Sequence, residues 1–395
     1  MGTGWGLINV KDIFHSGVKL DFSGLDKVEV SGNRRIGSYT VNKNDLFFVR
    51  SSVKREGVGQ VSFSPSTEPE VIHCGFVIRL RVHDPSVSPV FLAYALRSPH
   101  YREAVRNLAS GTAIINISQA SIGSVELDLP PRAVQDRIVS ILSAYDDLIE
   151  NNTRRIKILE KMAQLLYREW FVNFHFPGHQ KVKMVESELG PMPEEWEVKR
   201  LKDVAGVNEL SIKTSSPPER VYYIDIASVS TARIEKKESM RFSDAPGRAR
   251  RIVRHADTIW STVRPNRRSY ALILNPEPNL IVSTGFAVLT AATVPYSYLY
   301  FAATTDEFAD YLTNHTSGSA YPAVNAKDFE NAKLVVPKES VANHFHEVAA
   351  PMLDLTWCLH QRNANLRTTR DLLLPKLISG EIPVEAAAEA MEQIA

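Results

Sequence analysis

The sequence predicts an α+β protein: two mixed α/β domains, each followed by a long helix, the two helices pairing as an antiparallel coiled coil. Three observations predict it. At 395 residues the chain exceeds one ordinary core, so two domains are expected. Its two halves repeat one another over most of their length. Each half ends in about 40 residues with apolar side chains every three or four positions, the spacing of a coiled-coil seam.

The repeat is read from short matched segments. Trp5 and Asp12, with Val10, Lys11 and Ile13, match Trp196 and Asp203, with Leu201, Lys202 and Val204, at an offset of 191. Ser51-Ser52-Val53-Lys54 matches Ser261-Thr262-Val263-Arg264, and Cys74-Gly75-Phe76 matches Thr284-Gly285-Phe286, both at 210. From Ser110-Gly111-Thr112-Ala113 against Ser317-Gly318-Ser319-Ala320 the offset is 207, and it holds to Leu165-Leu166 against Leu372-Leu373. A period near 200 lies far above solenoid repeats and implies a duplicated domain with its trailing helix.

Within the first copy, Asp45 to Val49 and Val71 to Val82 are rich in β-branched and aromatic residues between Gly, Pro and Ser, which predicts strands. Pro89 to Ser98 and its counterpart Pro295 to Ala303 read as short helices opened by proline. The long helices follow. Val134, Ile138, Ile141, Tyr145, Leu148, Asn152, Ile156, Leu159, Ala163, Leu166 and Trp170 form one seam; Val341, Phe345, Val348, Met352, Leu355, Leu359, Asn363, Leu366, Arg370, Leu373 and Leu377 form the other. Pro131 suits a first helical turn and Gly380 a left-handed helix end. Asn152 and Asn363 stand where such a seam wants leucine. Either they face each other and set the register, which places Ile138 near Leu377 and Trp170 near Phe345, or they face solvent. The chain then divides into a first domain over 1–130, a central helix over 131–172, a linker over 173–195, a second domain over 196–337, a C-terminal helix over 338–380 and a tail over 381–395.

Composition narrows the function classes. With 44% hydrophobic and 23% charged residues the chain has ample material for packed cores. No apolar run reaches the length of a membrane span, and Met1 to Val10 lacks the regions of a secretory signal, so a cytoplasmic protein is expected. Cys74 and Cys358 are too few and too distant for a zinc site. A net charge of +1 argues against nucleic-acid binding by the whole surface and confines any such binding to local clusters. Two exist: eight arginines from Arg241 to Arg268 against Asp244 and Asp257, and six basic residues from Arg34 to Arg55 against Asp45. Solvated charged loops are the alternative for either cluster taken singly.

Catalytic motifs are missing. No glycine-rich fingerprint or Gly-Lys-Ser/Thr phosphate loop occurs. Pro130-Pro131 lacks the flanking Asn or Asp and aromatic residue of an amino-methyltransferase, and reads as a helix start. His344 and His346 are two apart, which does not put them on one helix face. His175 and His179 are equally weak as ligands. Trp170, Phe171, Phe174 and Phe176 read mainly as core, with partner docking as the second reading.

At this point the chain resembles a known family. Leu129-Pro130-Pro131, Gln135, Ile138, Leu142, Asp147-Leu148-Ile149-Glu150-Asn151-Asn152 and Arg155-Ile156, continuing through Leu159-Glu160, Leu166-Tyr167-Arg168-Glu169-Trp170-Phe171 and Phe176-Pro177-Gly178, are similar to the first conserved region of type I restriction-modification specificity subunits. Gly190, Pro193, Trp196 and Leu201, and Leu373-Leu374-Pro375-Lys376-Leu377-Ile378-Ser379-Gly380-Glu381-Ile382, also fit that family. The resemblance is strong in the helices and domain edges and weak in the domain interiors. It implies a non-catalytic subunit with two target recognition domains, each reading one half of a split, asymmetric site on double-stranded DNA, with the helices as a ruler between them. It further implies two modification (methyltransferase) subunits, which carry the S-adenosylmethionine, and restriction subunits that cleave and translocate DNA. No cofactor is expected in this chain, and no membrane partner.

The residues suited to DNA contact lie in corresponding places. Arg264, Asn266, Arg267 and Arg268 around Pro265 offer forked donors to guanine and an amide to adenine. Arg50, Ser51, Lys54 and Arg55 occupy the equivalent loop, and Arg34, Arg35, Arg250 and Arg251 complete the basic clusters. Most such residues contact phosphates rather than bases. Gly111 with Thr112, and Gly318 with Ser319, are a second candidate, since glycine lets backbone N–H groups approach a phosphate; tight turns before a last strand are the competing reading.

Overall fold

In the computed structural model, residues 4–15, 17–30, 36–213, 215–318 and 321–386 are described. The chain forms two compact units, residues 1–153 with 361–395, and residues 154–360. The division therefore falls inside the long helices and not in the linker, and each unit holds one α/β domain with half of each helix.

The first unit contains a four-stranded sheet in the order Asp26–Val28, Trp5–Ile8, Glu68–His73, Thr40–Val41, in which Trp5–Ile8 and Glu68–His73 run parallel. Beside it lies a three-stranded antiparallel sheet in the order Val61–Phe63, Leu46–Val49, Val77–Leu80. Leu46–Val49 is buried on both faces, as its unbroken apolar run requires. The 71–82 stretch, expected as one strand, is split by the turn at Cys74–Phe76 into two strands belonging to different sheets.

The second unit repeats both sheets, the three-stranded one gaining a fourth strand, Ala205–Val207. Glu238–Arg241, Arg220–Ile224, Leu280–Ser283 and Ala249–Ile252 have the order and strand directions of the first four-stranded sheet, including one parallel pair. The strand in the place of Trp5–Ile8 is thus Arg220–Ile224, which corrects the match of Trp5 to Trp196. Glu197–Arg200 instead pairs with Lys333–Val336, and Trp196 packs with Phe171, Phe174 and Phe176 at ring separations of 5.1 to 5.7 Å. The aromatic cluster is core: Trp170, Phe171, Phe176 and Trp196 are all buried.

The long helices are Arg132–Tyr167, extended by a wider helical turn over Arg168–Val172, and Glu339–Ile378. They run antiparallel within each unit. In the first, Asn152 Nδ2 donates to Asn363 Oδ1 at 3.0 Å, both side chains being buried, and Ile138 and Leu377 share one core. In the second, the Trp170 and Phe345 rings lie 6.0 Å apart. The asparagines face each other, and the register they set is the one expected. Gly380 closes the second helix at a φ of 73°.

The seam itself differs from the sequence reading in one respect. Leu148 and its repeat mate Leu355 are exposed, while Ile149 and Thr356 are half-buried. A seam through Leu148, Asn152 and Ile156 takes two steps of four in succession. Passing through Ile138, Leu142, Tyr145, Ile149, Asn152 and Ile156 restores the alternation of four and three that keeps a seam in phase. Ala342 and Ala349, buried where Val341 and Val348 are half-buried, make the same adjustment in the partner helix.

Two residues of the first long helix tie it to the first domain. Gln135, buried, donates to the carbonyls of Ser86 (3.1 Å) and Pro130 (2.8 Å) and accepts from the Ser88 amide (2.8 Å), where Ser88 caps the helix Pro89–Ala95. Asp146 accepts from Tyr94 Oη at 2.5 Å and pairs with Arg370 of the other long helix. Burial, then the carboxylate, pushes the Tyr94 phenol far above its ordinary range. Among the described residues no helix is long and apolar enough to cross a membrane.

Candidate nucleic-acid interface

In the first unit the chain leaves the buried strand Leu46–Val49 at Arg50 and enters a second short strand, Ser51–Ser52, which pairs with Ile115–Asn116. This pairing joins the two segments singled out in the sequence, the basic loop and the Ser-Gly turn. Ser51 Oγ donates to Asn116 Oδ1 at 2.5 Å, and Ser110 and Asn116 exchange backbone hydrogen bonds of 2.9 and 2.8 Å that close a hairpin. Gly111 sits in that hairpin at a φ of 122°, where a Cβ would lie 2.2 Å from the Ile114 carbonyl. The glycine is therefore required by the turn itself, whatever else the turn binds. Val53, Lys54, Arg55, Thr112 and Ile114 are all exposed around it.

The loop is held from below. Arg55 donates to the Arg106 carbonyl at 3.2 Å, and Arg102 donates to the carbonyls of Glu56 and Val58 at 2.7 and 3.0 Å. Burial lowers the Arg102 guanidinium to about 10. Arg50 donates to the Gly75 carbonyl at 3.2 Å.

The second unit builds the same device. Ser317 and Ala323 exchange backbone hydrogen bonds of 2.9 and 3.0 Å, Gly318 has a φ of 90°, and the Arg264 amide donates to the Pro322 carbonyl at 2.8 Å. Pro265–Arg267 forms a single tight turn between two residues in the left-handed region, Arg264 at 52° and Arg268 at 53°. Non-glycine residues in that region each cost about 1 to 3 kcal/mol and cluster at binding sites. The Arg264 guanidinium lies 5.1 Å from the Tyr321 ring centre, and Arg268 pairs with Asp306 at 2.5 Å. Asn266 and Arg267 are exposed. The Arg267 side chain makes no ion pair or hydrogen bond among the described residues.

These hydrogen bonds correct the register of the repeat here. The Ile117 amide donates to Arg50 and the Val324 amide to Thr262, and Asp45 and Asp257 each accept from the amide three residues earlier. Arg50 therefore corresponds to Thr262 and Ser52 to Arg264, an offset of 212. Arg50 and Thr262 then donate to Phe76 and Gly285, an offset of 209 for the following strand. Serine recurs at Ser51, Ser52 and Ser261, so local composition fits more than one register.

The arginine cluster is also less free than its local count implies. Arg241 pairs with Asp244, but Arg248 pairs with Asp225, Arg254 with Glu209 and Arg268 with Asp306, acids that lie outside the counted segment. Arg250 and Arg251 lie on Ala249–Ile252, a strand of the other sheet: Arg250 stacks on Phe242 at 4.9 Å, and Arg251 is half-buried, with burial lowering its guanidinium. Arg34, Arg35 and Ser319 lie outside the described residues. Conversely, the sequence reading passed over Asn116, Ile114 and Tyr321. Their positions after the Ser-Gly turn were legible in the sequence, but their exposure was not.

Elsewhere the chemistry is structural. No group of three or more His, Cys, Asp or Glu suited to a metal occurs among the described residues. His346 Nδ1 lies 2.9 Å from Ser297 Oγ, and His344 stacks on Trp170 at 5.3 Å.

Residues 8–161 match the family model described as the type I restriction modification DNA specificity domain. The chain is 23% identical over 380 residues to the type I restriction enzyme MjaIX specificity subunit of Methanocaldococcus jannaschii, covering 92% of this chain and 86% of that protein. It is 24% identical over 375 residues to the HindI specificity subunit of Haemophilus influenzae, covering 75% and 78%. Among solved structures, the S subunit of the type I restriction-modification system from M. genitalium shares the fold at a TM-score of 0.57 and 17% identity, over 95% of this chain and 92% of that one. Residues 8–161 thus carry a type I restriction modification DNA specificity domain, and the chain aligns over most of its length with type I restriction enzyme specificity subunits.

Proposed function

We propose that this subunit reads a split, asymmetric site on double-stranded DNA, one half with each α/β domain, and scaffolds two modification subunits in the cytoplasm. Those subunits carry the S-adenosylmethionine and the adenine methyl transfer; restriction subunits that cleave and translocate DNA join the same frame. The chain itself is a recognition subunit and not an enzyme.

One observation carries the reading: the same basic loop, paired to the same Ser-Gly hairpin, is built twice on different side chains. Equal frameworks with unequal side chains suit two different half-sites. The long helices repeat as well, which suits two equivalent docking surfaces.

The test is reconstitution with the modification subunit. Binding to a duplex carrying the site should weaken steeply as salt rises, because phosphate neutralisation releases counterions. Methylation should appear only with the modification subunit, at about two per chain, as expected of a duplicated frame. Methyl transfer by the pure chain alone, or saturation at one modification subunit, would overturn the proposal.

A further inference from the structure

Ile114 and Tyr321 are 207 residues apart and occupy the same position of the two hairpins, four residues after the serine of each Ser-Gly turn. Both are large, apolar-faced and exposed, at 57% and 71%. A single exposed apolar residue is ordinary. Here the exposure recurs at one structural position in both copies, each time beside the basic loop. The glycines fix it there: the Cβ absent from Gly111 would strike the Ile114 carbonyl, and that absent from Gly318 would crowd the Tyr321 carbonyl at 3.3 Å. The tip is held by its own backbone and presents its side chain outward.

Resting on the proposed DNA-reading function, we infer that Ile114 and Tyr321 are specificity-determining residues that make apolar contact with the bases of their half-sites. Isoleucine has no donor or acceptor for a phosphate, so what it can gain on duplex DNA is contact with a thymine methyl or a base face at a deformable step. In the second domain the Arg264 guanidinium lies against the Tyr321 ring, which holds the fork flat with donors free at its edge. Tyr321 then has a second task, as the platform that aims Arg264. The two domains thus share a position and differ in what it reads.

The experiment is selection of bound duplexes from a library randomised in both half-sites, using the complex with its modification subunits. Ile114→Ala should lose about tenfold preference at one or two adjacent positions of the first domain's half-site, the scale of one mismatched pair, and leave the other half unchanged. Tyr321→Ala should do the reverse, and Tyr321→Phe, which keeps the ring, should retain the preference. The dependence of affinity on salt should not change, since no phosphate contact is lost. Identical half-sites for both alanine variants, or an even loss across all sequences with a shallower salt dependence, would overturn the inference. If the unaltered complex selects no split site at all, the function proposed above fails first.

Discussion

Arg264, Arg267 and Arg268 lie within five residues, yet their surroundings give them different work. Arg268 is tied to Asp306, Arg264 is stacked on Tyr321, and Arg267 projects from the turn without a partner among the described residues. We expect Arg267→Ala to lower affinity evenly across sequences and to reduce the slope of log K against log salt by about 0.9, the loss of one phosphate contact. Arg264→Ala should instead relax base preference in the second half-site by about 1 to 3 kcal/mol. Titrations of both variants at several salt concentrations, on cognate and mismatched duplexes, separate the two roles; no effect from either variant would remove this turn from the interface. The sequence exposed these residues through charge and proline, because both are local signals. It could not expose Asp225, Glu209 or Asp306 as partners, since ion pairing across a fold leaves no mark on local composition. Tyr321 was passed over because an isolated tyrosine after a small-residue turn reads as core until its exposure is known.

At the scale of elements, the long helices were legible because their signal is periodic and long. Register let their asparagines face each other or solvent, and the hydrogen bond between them decides for the first. The strands were less legible: Trp5 opens the strand Trp5–Ile8 and Trp196 precedes the strand Glu197–Arg200, yet these join different sheets, since short strands are assigned by partners far away in sequence. The Leu148 misassignment has a different cause, in that two adjacent apolar residues, Leu148 and Ile149, compete for one seam position and only the phase of the whole helix decides. The asparagine pair itself yields a prediction. Asn363 Nδ2 also donates to Thr153 Oγ1 at 3.2 Å, so the amides are satisfied by each other and by the facing helix. Asn152→Leu alone should cost about 1 to 3 kcal/mol, because it strands a buried Asn363 carbonyl. Asn152→Leu with Asn363→Leu should recover most of that loss or exceed the original stability while weakening register. Denaturant unfolding of the three proteins measures it, and additive losses in the double variant would show that the amides do not act as a pair.

For the whole molecule, duplication of a domain together with its helix means that whatever spacing the helices impose is built from two copies of nearly one length, 36 residues with a five-residue wider turn in the first and 40 residues in the second. DNA readers in one frame engage best when their half-sites lie about one helical turn apart, roughly 34 to 36 Å, on one side of the duplex. Inserting one heptad into each helix, at facing positions between the asparagine pair and the Trp170–Phe345 contact, preserves the alternation of fours and threes and lengthens each helix by about 10 Å. On DNA that length is about three base pairs, which also turn the second half-site by about 100° around the axis. The coiled coil has no reason to follow that rotation. Affinity should therefore fall, and what remains should prefer a longer gap between the same two half-sites. Selection from a library with randomised spacer length decides the matter. Retention of the original gap at full affinity would show that the helices do not set the spacing, and a change in the half-site bases would show that the insertion had disturbed the domains themselves.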